Sequence, residues 1–175
     1  AQLAYLAETT EPLDRKQLGL ALRWANRALY LDPTYADAHL SSGRILVIAG
    51  YRDQGFGAMR RAWTLAIESP RSDAIVKEII RLAETPGELI RALPRVDPSS
   101  DLLVGNEVAR MLAALQKAGE GALGATVLDQ LAPQLLDLPP DSLLGVADQA
   151  RRLGDQDLAI VLLTRRADAM PGDTR

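Results

Sequence analysis

The amino-acid sequence predicts an all-α fold, a solenoid of stacked helix pairs. Three observations lead there. Apolar residues recur at helical spacing along nearly the whole chain, and strand and β-turn signals are scarce. Gly50, Gly87, Gly119 and Gly154 stand 37, 32 and 35 residues apart, each at or beside a junction between helical segments. A period near 34 is what a helix–turn–helix repeat requires. Composition agrees: 47% of the 175 residues are hydrophobic but only 4% aromatic. The core must therefore be built of Leu, Ala, Val and Ile, which favours helix over sheet. The length suits one domain, residues 1–175, with a sizeable core.

Ten helices follow in order. Leu3, Leu6 and Ala7 place a helix over 1–8, so the chain opens inside helical sequence and reads as a piece of a longer protein. Ala21, Ala25, Ala28 and Leu29 mark a helix over 13–31, stopped by Asp32-Pro33. Thr34 and Asp37 have capping-box spacing and open a helix over 35–49. Gly50 separates it from 52–68, which Pro70 ends, and 72–84 comes next. Thr85-Pro86-Gly87-Glu88 combines a cap residue, Pro at the first helical position and Glu at the third, opening 86–93 before Pro94. In 100–118, Val104, Val108, Met111, Leu112 and Leu115 form one stripe, and 121–136 lies between Gly119 and Pro139-Pro140. Leu143, Val146, Ala147, Ala150 and Leu153 define 141–153. Asp155 and Asp157 follow Gly154 and cap the last helix, 155–169, which ends before Pro171. Connections this short make consecutive helices antiparallel neighbours.

Composition also excludes chemistry. The chain has no cysteine and one histidine, which removes disulfides, iron–sulfur clusters, structural zinc and thiol nucleophiles, and no cofactor or metal site is expected. The formal net charge is −3, and residues 101–175 carry 7 basic against 11 acidic groups, so the footprint of a nucleic-acid binder is missing. The longest apolar runs, Ile45–Gly50 and Ala159–Leu163, are too short for direct membrane insertion of this segment. Only Lys16, Lys77 and Lys117 of the 20 basic residues are lysine, a bias that fits a GC-rich bacterial source, cytoplasmic or periplasmic. His39 sits two residues from Asp37 and Ser41, spacings that face different ways on a helix, so it reads as a packing residue and not a triad base. Gly55-Phe56-Gly57 lacks the third glycine and the preceding strand of a dinucleotide loop. Trp24 and Trp63 are expected to pack in the core or between repeats, and Arg60-Arg61, Arg151-Arg152 and Arg165-Arg166 to be solvated.

The segment Ala36–Pro70 resembles the tetratricopeptide repeat. Gly43, Gly50, Gly55, Met59 and Ala62 occupy the eighth, fifteenth, twentieth, twenty-fourth and twenty-seventh positions counted from Ala36. The closing Pro comes about three residues late, at Pro70, which implies an extra helical turn. Gly154, Ala159, Leu163, Ala167 and Pro171 echo the pattern, as do Gly119, Gly124, Leu128 and Leu131, whereas 71–101 departs from it, as a distorted repeat or a break between subarrays. The resemblance implies a right-handed α-α superhelix of about five helix pairs, the third irregular, in units of about 1–33, 34–70, 71–101, 102–138 and 139–171. It implies a groove lined by the first helix of each pair. In this chain those positions include Asp37, Leu40, Arg44, Val47 and Ile48, then Asn106 and Lys117, then Asp148 and Arg151. Only Asn106 and Lys117 hint at the Lys/Asn set with which some members clamp a terminal carboxylate, so that clamp is not expected here.

The expectation is a non-catalytic scaffold that binds a protein or peptide segment in this groove, burying Leu40, Val47 and Ile48 while Arg44 meets a partner acid. Two other classes compete: an accessory module of a larger membrane or glycan-processing and envelope-assembly protein, and an α-helical enzyme, which would need a deep pocket with buried ionisable groups. Flat helical ends could also form a homodimer. Leu46→Asp should be ruinous and Asp37→Ala mild.

Overall fold

The computed structural model describes residues 15–97 and 102–170. They form nine helices: α1 (Arg15–Leu31), α2 (Ala36–Ile48), α3 (Arg52–Leu65), α4 (Ser72–Leu82), α5 (Pro86–Ala92), α6 (Gly105–Lys117), α7 (Gly121–Leu135), α8 (Pro140–Arg152) and α9 (Gln156–Ala169). The described residues contain no β-strand, only an isolated antiparallel bridge between Arg95 and Leu103. The protein is all-α, as its periodicity predicts. The helix expected over 1–8 lies outside the described residues.

The chain divides into two compact units, Ala1–Leu82 and Ala83–Arg175. The boundary falls inside 71–101, the stretch that departs from the repeat pattern. In unit 1, α2 and α3 form an antiparallel hairpin that α1 and α4 flank. Its crossing is unusually close. A β-carbon on Gly43 would lie 2.6 Å from Met59 Cγ and 2.8 Å from the Gly55 carbonyl oxygen, and one on Gly55 would lie 2.6 Å from Val47 Cγ2. Phe56, Met59, Ala62 and Trp63 are fully buried beside Ile75 and Ile79 of α4. Each large apolar side chain buried this way contributes about 1.5–3 kcal/mol. On the other flank Ala21 and Ala25 of α1 pack against Ile45, with Leu18 and Leu22 at the margin.

Unit 2 contains two hairpins, α6–α7 and α8–α9. First helix packs on first helix (α6 on α8), and α5 packs on α7. Leu112, Leu115, Leu131, Leu143, Val146 and Leu162 are fully buried. A β-carbon on Gly105 would meet Ser142 Cβ at 2.4 Å, and one on Gly145 would meet Ala109 Cβ at 3.4 Å, so small residues set the α6–α8 spacing.

All three hairpins close in the same way. Gly50, Gly119 and Gly154 have φ of 88°, 83° and 93°, the left-handed conformation that terminates a helix. Each donates to the carbonyl three residues back (Val47, Gln116, Arg151) at 3.0–3.2 Å. The following residue, Tyr51, Glu120 or Asp155, donates to the carbonyl five back (Leu46, Leu115, Ala150) at 2.8–2.9 Å. This is the Schellman pattern, and each of the three preceding helices is 13 residues long. Gly87 does not share this role. It is the second residue of α5 and has no positive φ.

Several local expectations hold. Thr85 Oγ1 and Glu88 form the reciprocal capping box, and Asp155 accepts from the Leu158 N–H at 3.0 Å. Others are corrected. The Thr34–Asp37 box does not form: Thr34 donates from its N–H and hydroxyl to Asp32 Oδ1 at 2.9 and 2.6 Å, and α2 starts after Tyr35 without a side-chain cap. That carboxylate is held below the usual range first by the Thr34 hydroxyl and then by its N–H. The extra turn before Pro70 is not α-helix. α3 ends at Leu65, and the chain continues in turns, with the Ser69 and Ser72 N–H groups donating to Ala66 and Ser69 carbonyls. The helix expected from residue 100 begins at Gly105, because the Val96 and Val104 N–H groups donate to Leu102 and Pro94 carbonyls around the bridge.

Candidate functional site

On α2 the predicted groove residues meet different fates. Asp37 pairs with Arg71, and Arg44 Nε lies 2.7 Å from Glu78 Oε1, both across the α2–α4 seam. Each pair spans 34 residues of sequence. Glu78 also accepts two hydrogen bonds from Arg81, from Nε at 2.9 Å and Nη2 at 2.7 Å. The Arg81 hydrogen bonds hold the Glu78 carboxyl below its ordinary range. Burial opposes this, and the Arg44 and Arg81 charges add to it. The pairing raises Arg81 in turn. The Arg44 charge assigned to a partner acid is thus met within the chain: the side chains of Arg44 and Glu78 are only 24% and 15% exposed. Val47 is buried against Gly55, and Leu40 is half-buried.

Ile48 is different. It is exposed, and it lines a half-open apolar cavity of about 520 Å³ together with Leu18, Gly19, Leu22, Ile45, Leu46, Ala49 and Tyr51. The cavity lies between α1 and the C-terminal end of α2. Two local features create it. The left-handed turn at Gly50 swings Tyr51 to the rim, and nothing stands within 4 Å of where a Gly19 side chain would begin. Leu46 belongs to this half-open wall and is not fully buried, so it is a weaker core anchor than its place in the stripe implies. The lining carries no carboxylate, amine, guanidinium or imidazole. Such a wall suits apolar side chains, with the Tyr51 phenol as its polar side-chain group.

In unit 2, Asn106 and Lys117 are both exposed on α6, eleven residues apart. At 1.5 Å per residue that is about 16 Å, too far for one carboxylate to bridge. Asp148 receives Arg151 Nη2 at 3.0 Å and Arg152 Nε at 2.8 Å, an ion-pair cluster within one helix. Gln116 Nε2 donates to the Arg152 carbonyl at 3.3 Å and ties α6 to α8.

His39 Nε2 donates to the Pro33 carbonyl at 2.9 Å, a local contact at the start of α2. Trp63 is fully buried, but Trp24 is 63% exposed and is not a core residue. Helical spacing identifies which residues share a face; it does not say whether a second face is also covered. Sequence reading also missed Glu107, a buried carboxylate whose Oε2 lies 3.3 Å from Arg110 Nη1. Its only outward sign is an acid three residues before an arginine. Among the described residues, no group of three His, Asp or Glu side chains is placed to hold a metal ion, and no helix is long and apolar enough to cross a membrane.

Compared with family models, with curated proteins and with solved structures, the chain matches none.

Proposed function

We propose that this chain is a non-catalytic scaffold whose hairpins stack, within each unit, in the manner of tetratricopeptide repeats, and that it holds a segment of another protein. Three identically closed hairpins and the 34-residue register of the α2–α4 ion pairs support the repeat reading. The observation that carries the binding reading is the apolar cavity around Ile48 and Tyr51, which has no titratable wall apart from the Tyr51 phenol and is open to an incoming side chain. Apolar anchors seated in such pockets dominate the energetics of peptide recognition. In this reading Arg44 and Asp37 hold α4 on α2 and so keep the groove in shape, and the anchor goes to Ile48.

The test is selection from a random peptide library displayed on phage, using the full chain as bait. The enriched peptides should share one large apolar residue, and Ile48→Lys should weaken their binding by about tenfold or more with an unchanged helical circular-dichroism spectrum. Equal binding by Ile48→Lys, or no enrichment at all, would remove the cavity from the function.

A further inference from the structure

Helix α1 has a second face that the α1–α2 packing does not use. Ala21 and Ala25 turn toward Ile45. About 100° round the helix from them, Leu20, Trp24 and Leu31 recur at i, i+4 and i+11, and they are 51%, 63% and 69% exposed. This apolar ridge runs about 16 Å, three helical turns. Beside it runs a second ridge that includes Arg23 and Arg27, both exposed. The Arg27 guanidinium lies over the Tyr30 ring, 5.4 Å from its centroid. α1 contains no acidic residue. The nearest acid in sequence after it, Asp32, is occupied by Thr34.

We propose that this outer face of α1 is a docking surface for an acidic amphipathic helix of a partner protein. Its carboxylates would meet Arg23 and Arg27, and its apolar side chains would cover Leu20, Trp24 and Leu31. Charge complementarity selects this occupant. A second copy docking α1 on α1 would set arginine against arginine, with no acid on α1 itself to compensate. Guanidinium forks pair bidentately with carboxylates, and a tryptophan beside arginines is the composition of interface hot spots. Leu20, Trp24 and Leu31 have the i, i+4, i+11 spacing of helix–helix seam positions, with Arg27 at the seam position between Trp24 and Leu31. None of Leu20, Trp24, Arg27 or Leu31 lines the Ile48 cavity, and Arg23 borders it, its Nε donating to the carbonyl of the lining residue Gly19 at 3.4 Å.

The experiment uses the full chain and its own fluorescence, because Trp24 is exposed and Trp63 is fully buried. The probe is a synthetic Glu/Leu amphipathic helix about four turns long, compared with a Lys/Leu counterpart and with vesicles containing anionic lipid. The Glu/Leu helix should shift Trp24 emission to the blue, protect it from acrylamide, and bind more weakly as salt rises. Arg23→Glu combined with Arg27→Glu should weaken binding by about tenfold or more, whereas Arg61→Glu, at an exposed position of α3, should leave it unchanged. Four outcomes would overturn the proposal: equal binding of the Lys/Leu helix; a blue shift with vesicles and none with peptide, which would make the face a lipid contact; protection of Trp24 that grows with protein concentration alone, which would make it a self-association face; or concentration-independent protection without any peptide, which would mean that the chain covers the face itself.

Discussion

The two units solve the same packing problem with different chemistry. In each, the first helix of one hairpin lies against a neighbouring first-type helix: α2 against α4 in unit 1, and α6 against α8 in unit 2. The α2–α4 seam is ionic, with Asp37 to Arg71 and Arg44 to Glu78. The α6–α8 seam is steric: Gly105 sits on Ser142, Ala109 on Gly145, and one amide reaches the Arg152 carbonyl. Close approach is not missing from unit 1; it lies inside the hairpin, at Gly43 and Gly55. One stacking pattern therefore tolerates either charge or smallness at the seam, and each unit should be sensitive to different perturbations.

The two can be separated experimentally because both tryptophans, Trp24 and Trp63, lie in unit 1. Tryptophan emission follows unit 1, while far-ultraviolet circular dichroism follows the helices of both. The largest effect is expected from overpacking. Gly43→Val should cost about 3 kcal/mol, read as an earlier tryptophan transition in urea, because the atoms it meets include the Gly55 carbonyl, which cannot swing away. Gly105→Val should cost about 2 kcal/mol and move only the circular-dichroism transition of unit 2. A shared shift of both signals would show that the units do not unfold separately.

Next come the hairpin closures. Alanine at Gly50, Gly119 or Gly154 should cost about 1–2 kcal/mol at each site, because a β-carbon disfavours the left-handed conformation. Gly87→Ala should instead be neutral or stabilising by up to about 1 kcal/mol, since Gly87 is in the first turn of a helix and a β-carbon there would meet only the Thr85 hydroxyl oxygen, at an ordinary contact distance of 4.0 Å. A uniform loss at all four would erase the distinction between them.

The ionic seam is expected to respond less. Glu78→Gln should cost about 1 kcal/mol at neutral pH and shift the tryptophan transition. Because the folded carboxyl titrates below its usual range, its stabilising contribution is complete above the unfolded value and is lost as pH falls through the folded one. The gap between wild type and Glu78→Gln should therefore close in acid and narrow in high salt, with unit 2 unaffected. A gap independent of pH would mean that Glu78 acts through packing alone. Smallest is Asp37→Ala, at about 0.3 kcal/mol, since both members of its pair are substantially exposed.

How much of this is legible in the sequence depends on the range of the interaction. The helices and their ends are written locally. Thr85 and Glu88 cap each other, Asp155 caps α9, and Gly50, Gly119 and Gly154 end their helices with hydrogen bonds three and five residues back. Thr34 misleads because Asp32, a nearer acceptor, takes the N–H that Asp37 would accept in the box. The segment before Gly105 misleads because Val104 continues the apolar stripe, while its N–H is taken by Pro94, ten residues earlier. At the candidate site, the resemblance puts Ile48 at a groove position, but its cavity neighbours Leu18 and Leu22 come from another helix, and no spacing rule links them. Arg44 looks available because its acid lies 34 residues away. Under the proposed repeat reading that distance is one period, so an unmatched charge is best sought one period along before it is offered to a partner.

The Gly43–Gly55 crossing carries one more consequence. Main chain touches main chain there, so no rotamer can flip to let α2 slide past α3. The pair should behave mechanically as a single block, resisting shear, and any flexing that accompanies a guest's arrival has to occur at its borders. Amide exchange would then be slowest in the middle of these two rods and fastest at the joints on either side.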